Sequence, residues 1–158
     1  MSIDGRELRN ALGRFATGVC VITAADAQGN AVGMTANSFS SVSLDPPLIL
    51  WCLQNNSEVY DTFARPKYYA VNILASDQLD LSNQYAKKGD HVLSSKHYRL
   101  GRYGAPLIRD ALVNFECEMH AGHDGGDHLI IVGRVRDMCN RPTGSPLLFC
   151  SGSYGELR

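Results

Sequence analysis

The chain predicts a mainly β fold in which six or seven strands make a closed or nearly closed barrel, with short helices covering its ends. Three observations carry that expectation. β-branched and aromatic runs recur from Val19 onward, clusters of Gly, Asp, Asn and Pro separate them, and helical periodicity is confined to a few short stretches. A length of 158 residues fits one domain, residues 1–158, able to bury about two thirds of its unfolded surface.

The elements follow in order. Leu8, Ala11, Leu12 and Phe15 repeat at helical spacing, so residues 4–15 read as an amphipathic helix. Residues 19–23 form a β-branched strand, Asp26 to Asn30 carry turn chemistry, and residues 31–35 lead back. Pro46 and Pro47 open the apolar run 48–53, expected to be a strand buried on both faces, because proline is tolerated at a strand's start but not inside it. Residues 57–64 predict a short helix stopped by Arg65-Pro66, and 68–74 another strand. Ser76 is the expected N-cap of a helix running to Ala86, with Leu81 and Tyr85 stacked one turn apart. Residues 87–110 lack periodicity and read as a long surface loop. Two long strands, at about 112–120 and 129–138, and a short one at 147–150 complete the chain.

Composition excludes several classes. A net charge of -1, with scattered basic residues, gives no reason to expect nucleic acid or an anionic membrane as partner. No apolar run approaches a membrane span, and the N-terminus lacks the apolar region of a signal peptide. The five cysteines are odd in number and without a C-x-x-C pair, so they are expected to be reduced core or near-core residues of a cytoplasmic protein.

The most informative segment is Gly33 to Pro47. Thr35, Ser38, Ser40, Ser41 and Ser43 gather hydroxyls around the amide of Asn37, and strand alternation would put Ser41 and Ser43 on one face. The segment is uncharged and rich in hydrogen-bonding groups, which suits a ligand with a polar heteroaromatic edge. It equally suits a polar edge strand facing water. Cys117, His120, His123, Asp124, Asp127 and His128 are potential metal ligands, but alternation sends Cys117 and His120 to opposite faces and no finger or H-E-x-x-H spacing occurs, so no metal site is expected. Nor is there a G-x-S-x-G elbow, a P-loop or a G-x-G-x-x-G fingerprint. Gly-Asp-His occurs twice. At 89–91 it reads as an exposed histidine beside Lys87 and Lys88; at 126–128 a turn aspartate fixes the backbone and His128 projects from a strand start at a sheet rim.

Together these segments resemble the flavin reductase-like family, the short-chain reductases that partner two-component flavin monooxygenases. The resemblance runs from Phe15–Thr23 through Gly33–Leu48, Val71–Leu74, Phe115–Cys117 and His123–His128 to Pro146–Phe149 and Gly152–Tyr154. It implies an FMN-binding split β-barrel that homodimerises and holds FMN or FAD at the subunit interface. Thr35, Ala36, Asn37 and Ser38 would line the isoalloxazine; Ser41, Gln54, Asn55, Asn56 and Ser57 would contact ring, ribityl or phosphate; His128 would orient NADH or NADPH. No residue is assigned as catalytic, because hydride transfer from nicotinamide to flavin N5 belongs to the cofactors and the protein supplies orientation. The implied partner is a flavin-dependent monooxygenase; the alternative is a flavin-retaining electron carrier. The chain departs from the family pattern at Val59, where a phosphate-holding threonine is common, and at Cys150, where an aromatic is common. Arg14, Lys87 and Lys88 are the candidate cations for a phosphate.

Overall fold

Asp4 starts the first helix, its carboxylate accepting hydrogen bonds from the backbone of Arg6 at 3.0 Å and Glu7 at 2.9 Å. The computed structural model describes residues 2–158. Helix α1 covers Gly5–Leu12, not 4–15, because Arg14 N–H and Phe15 N–H turn back to the carbonyls three residues earlier and the chain tightens out of α geometry. None of its residues is buried, and Leu8, Leu12 and Phe15 stand 45%, 66% and 80% exposed. The amphipathic face is real but is left largely exposed among the described residues.

The strands are β1 (Thr17–Gly18), β2 (Cys20–Ala25), β3 (Ala31–Ala36), β4 (Ser40–Leu44), β5 (Pro47–Gln54), β6 (Tyr68–Ile73), β7 (Tyr98–Leu100), β8 (Pro106–Ile108), β9 (Val113–Gly125), β10 (His128–Asn140), β11 (Leu148–Cys150) and β12 (Ser153–Gly155). A seven-stranded sheet in the order β3-β2-β6-β9-β10-β5-β4 is the frame, with a three-stranded sheet β1-β11-β12 and a pair β7-β8 beside it. The fold is mainly β, as expected. In this chain β3 and β4 are the ends of the large sheet and do not pair with each other, so the described strands do not close a ring. Helix α2 (Tyr60–Ala64) stops before Arg65-Pro66 as expected, and α3 (Leu79–Ala86) ends at the expected residue. Its start differs. A 3-10 turn at Ser76–Gln78 precedes it, and the Gln78 side chain, not that of Ser76, takes the backbone N–H of Ala75.

Three further expectations are corrected. Strand β5 is not buried on both faces: Ile49, Trp51 and Leu53 are in the core while Leu48, Leu50 and Cys52 are half-buried, since its antiparallel neighbours cover its edges but only one face packs on the interior. Alternation in β4 is broken by a bulge: Ser41 opposes Ile49 and Ser43 opposes Leu48, so the two serines fall on opposite faces. The cysteines split: Cys20 and Cys117 are buried, Cys52 and Cys150 half-buried, and Cys139 exposed. Burial pushes the Cys20 thiol up to about 12, and burial followed by the charge of Glu116 does the same for Cys117.

Residues 87–110 are far from a plain surface loop. Leu93, Ala105, Leu107 and Ile108 are buried, and β7 pairs with β8 inside the segment. Buried polar groups explain why. Asn72 donates to Val21 O at 2.8 Å and Thr23 Oγ1 at 3.0 Å, while its Oδ1 accepts from Ile108 N at 3.0 Å and Asn114 Nδ2 at 2.8 Å. Thr23 Oγ1 in turn donates to Pro106 O. Glu116, also buried, accepts from Tyr103 N at 2.8 Å and Ala105 N at 3.1 Å. Backbone groups that no strand partner reaches are thus satisfied by side chains of the sheet. The apolar core sits on the same frame, with Trp51 edge-on to Phe63 at 5.8 Å and packed among Ile22, Tyr69, Val71 and Ile131.

Asn72 fills all four of its hydrogen-bonding positions, so Asn72→Ala strands the Ile108 N–H and leaves the Asn114 amide with only the Ile108 carbonyl as acceptor. We expect a loss of about 3 kcal/mol in urea unfolding. A change under about 1 kcal/mol would show that the network is not cooperative.

Candidate functional site

Strand β10 pairs with β9 on one side and β5 on the other, so His128, its first residue, lies opposite Gly125 and Gln54. Directly opposed side chains of antiparallel neighbours emerge on one face, which puts His128 and Gln54 at the same rim. The turn before His128 takes its shape from Gly126, whose φ of 78° suits glycine. Asn55 holds that turn from the neighbouring segment: its N–H donates to Asp127 O and its side-chain amide to Gly126 O, each at 3.0 Å. Asp127 does not brace the turn as expected. Its carboxylate instead accepts from His128 Nδ1 at 2.7 Å, orienting the ring and leaving Nε2 for an outside partner. That hydrogen bond, with the attraction of the imidazole, holds the Asp127 carboxyl below its usual range.

A cavity of about 480 Å³ opens beside this rim. Thr35, Gln54, Asn56 and Ser57 line it together. Ala36 and Asn37 line an adjoining cavity of about 160 Å³ that also includes Thr35. Ser41 lines a third, of about 340 Å³, which shares Asn37 and reaches Phe15. These seven candidates therefore spread along a run of concavities joined at Thr35 and Asn37, while Ser38, Asn55 and His128 line none of the three.

Their hydroxyls are not all free. Ser38 Oγ accepts from Cys52 N at 2.9 Å and faces Cys52 O at 3.2 Å, which pins the hydroxyl-rich segment to β5. Thr35 Oγ1 donates to the Ser82 carbonyl at 2.7 Å, pinning it to α3. Asn55 is spent on the 126–127 turn. The exposed amides of Asn37, Gln54 and Asn56 are the groups best placed to meet a ligand.

Sequence reasoning missed Met34, Glu58, Tyr85, Ala86 and His91 in the large cavity's wall. Of the three candidate cations, Lys88 lines it. His91, read from sequence as exposed, is half-buried and binds Glu58. The signal was the Lys-Lys-Gly-Asp-His run, whose length and charge fitted a solvated loop as well as a cavity wall. Among the described residues no three His, Cys, Asp or Glu side chains converge as for a metal.

Fold and cavity agree with what the comparisons show: the chain belongs to the flavin reductase like domain family, whose profile matches residues 12–158. It is 42% identical over 154 residues to FMN reductase (NADH) SmoA of Agrobacterium fabrum, covering 98% of this chain and 87% of that protein. It is also 42% identical over 132 residues to the reductase component of the flavin-dependent trigonelline monooxygenase of Acinetobacter baylyi, covering 84% of this chain and 43% of that one. Among solved structures, the Streptomyces globisporus NADH:FAD oxidoreductase SgcE6, in complex with NAD and FAD fragments, superposes with a TM-score of 0.91 at 33% identity, over 100% of this chain and 97% of that one. The chain spans less than half the length of some curated relatives, 42% for the Rhizobium meliloti protein named "Probable flavin reductase".

Ser38→Ala removes the side-chain tie between the hydroxyl-rich segment and β5. We expect a loss of about 1 to 2 kcal/mol in thermal or urea unfolding. An unchanged midpoint would assign the hydroxyl to ligand contact alone.

Proposed function

We propose that this chain catalyses NADH- or NADPH-dependent reduction of FMN or FAD and supplies the reduced flavin to a partner flavin-dependent monooxygenase. The observation that carries this reading is the run of amide- and hydroxyl-bearing concavities beside the His128 rim, with Lys88 in the wall of the largest. A flavin fits that chemistry: exposed amides for a heteroaromatic edge, and an ammonium for an anionic tail. The flavin supplies the hydride-accepting centre and the nicotinamide the hydride.

This chain's residues then have binding and orienting roles. Thr35, Ala36, Asn37 and Ser38 present backbone and side-chain groups to the ring, the last through a segment that its own hydroxyl holds against β5. Ser41, Gln54, Asn56 and Ser57 take the ring edge, ribityl or phosphate, and Asn55 contributes by fixing the turn that carries His128. His128, oriented by Asp127, offers Nε2 to the nicotinamide nucleotide. No protein acid or base is needed.

The same reading includes residues 1–158 as one domain and a split barrel completed as a homodimer in the cytoplasm. Its support is the exposed apolar group of Leu8 and Leu12 on α1 and Phe15 just beyond it, next to the concavity that Phe15 and Ser41 share. No helix of the described residues is long and apolar enough to cross a membrane.

Absorbance of the nicotinamide band tests the activity directly. Oxidation of NADH that requires added FMN or FAD is expected; a yellow protein indifferent to added flavin would favour the electron carrier, and no oxidation would sink both. His128→Ala should raise the apparent KM for the nicotinamide about tenfold with kcat little changed, and unchanged kinetics would remove His128 from the site. Phe15→Glu should halve the mass seen by light scattering if α1 lies in the dimer interface.

A further inference from the structure

One charged arrangement in the large cavity's wall has no role in that reading. Glu58 follows Ser57 directly, and its Oε1 accepts from the backbone N–H of Gly89 and from His91 Nε2, the latter at 2.6 Å. On the other side of the ring, His91 Nδ1 meets the Gly33 carbonyl at 3.1 Å. The Glu58 carboxylate can only accept, so His91 Nε2 donates to it and the ring is held between Glu58 and the Gly33 carbonyl. The His91 side chain is only 15% exposed. Its backbone is held as well, its carbonyl accepting from Gly33 N at 2.8 Å. Residues 89–91 are thereby clamped between β3 and the segment that follows Gln54.

Lys88 sits immediately before this clamp and lines the cavity beside Gln54, Asn56 and Ser57. The clamp fixes the backbone on which Lys88 is carried, and with it the part of the wall from which the Lys88 side chain reaches the cavity. The Gly89 hydrogen bond, followed by the His91 hydrogen bond and the neighbouring charge of Lys88, holds the Glu58 carboxyl below its usual range. Asp90, on the same turn, is exposed and does not line the cavity.

We propose that Glu58 and His91 are positioning residues: they brace the 88–91 turn so that Lys88 receives the phosphate of a bound flavin, making the site selective for phosphorylated flavins over riboflavin. This rests on the flavin reductase reading above. It gives Lys88 the electrostatic part of the grip, in a chain where Val59 stands at the position of a phosphate-holding threonine.

The test compares FMN with riboflavin, which share the ring and ribityl and differ in the phosphate. NADH oxidation gives KM and kcat for each flavin, and equilibrium dialysis gives each Kd without turnover. Lys88→Ala should raise KM and Kd for FMN about tenfold, and Lys88→Arg should keep FMN binding; Glu58→Gln and His91→Ala should each match the tenfold loss for FMN while leaving both riboflavin constants within about twofold. Equal losses for FMN and riboflavin would overturn the proposal in favour of a general wall-building role, and so would no loss for either. Glu58→Gln keeps an acceptor for Gly89 and guards against simple unfolding as the cause. If the unmodified protein binds FMN but oxidises no NADH, the reductase reading fails while dialysis still decides the brace. If it binds neither flavin, both fall.

Discussion

The double pairing of β10 is the constraint on which the site depends. One strand shares its ladder with β9 and β5, and the register sets His128 against Gln54 and Leu129 against Leu53. A slip of one residue would turn the whole of β10 over, sending the core residue Ile131 to the other face and His128 away from Gln54. The register is well specified: Ile131 faces Trp51 in the core at the same time as His128 reaches the rim. Position 133 tightens it further, since a Cβ there would lie 2.0 Å from the Tyr69 hydroxyl, so only glycine fits between the strand and that ring. Packing in the interior thereby sets the position of a side chain at the edge.

A second layer of order comes from side chains that tie irregular backbone to the frame. Asn72, Thr23 and Glu116 hold residues 101–108, Ser38 and Thr35 hold the hydroxyl-rich segment, and Asn55 holds the Gly126 turn. Each is a short polar group on or beside a strand that answers backbone groups with no ladder partner. The consequence for chemistry is a cavity with prearranged walls that contain few charges. On the proposed reading, a ligand there would be held by hydrogen bonds and shape, with Lys88 in the wall.

Much of this was legible in the sequence, and the limits have physical causes. The strands of the large sheet, the stop before Arg65-Pro66 and the rim position of His128 follow from local periodicity and turn chemistry, which are short-range properties. The Gly33–Ser38 and Gln54–Ser57 segments were identified as site by resemblance, and the fold does bring Thr35, Gln54, Asn56 and Ser57 to one cavity. Three things were hidden. The bulge at Ser41–Ser43 depends on what β5 offers opposite, not on the residues of β4. The order within 87–110 depends on Asn72 and Glu116, which are distant in sequence. The Glu58–His91 pair spans 33 positions, and neither residue announces the other. Long-range polar pairing leaves no periodic trace.

Trp51 has a use beyond packing. It is the only tryptophan in the chain, 1% exposed, and sits on the strand that ends at Gln54 in the cavity wall. Its indole emission is therefore that of a dry, apolar site, blue-shifted while β5 stays in place and red-shifted once water reaches it. A near-ultraviolet chromophore seated at the end of β5 would drain that emission by energy transfer. The protein thus carries a native optical reporter in which core integrity appears as a wavelength and occupancy of the cavity as an intensity, and no label is needed to separate the two.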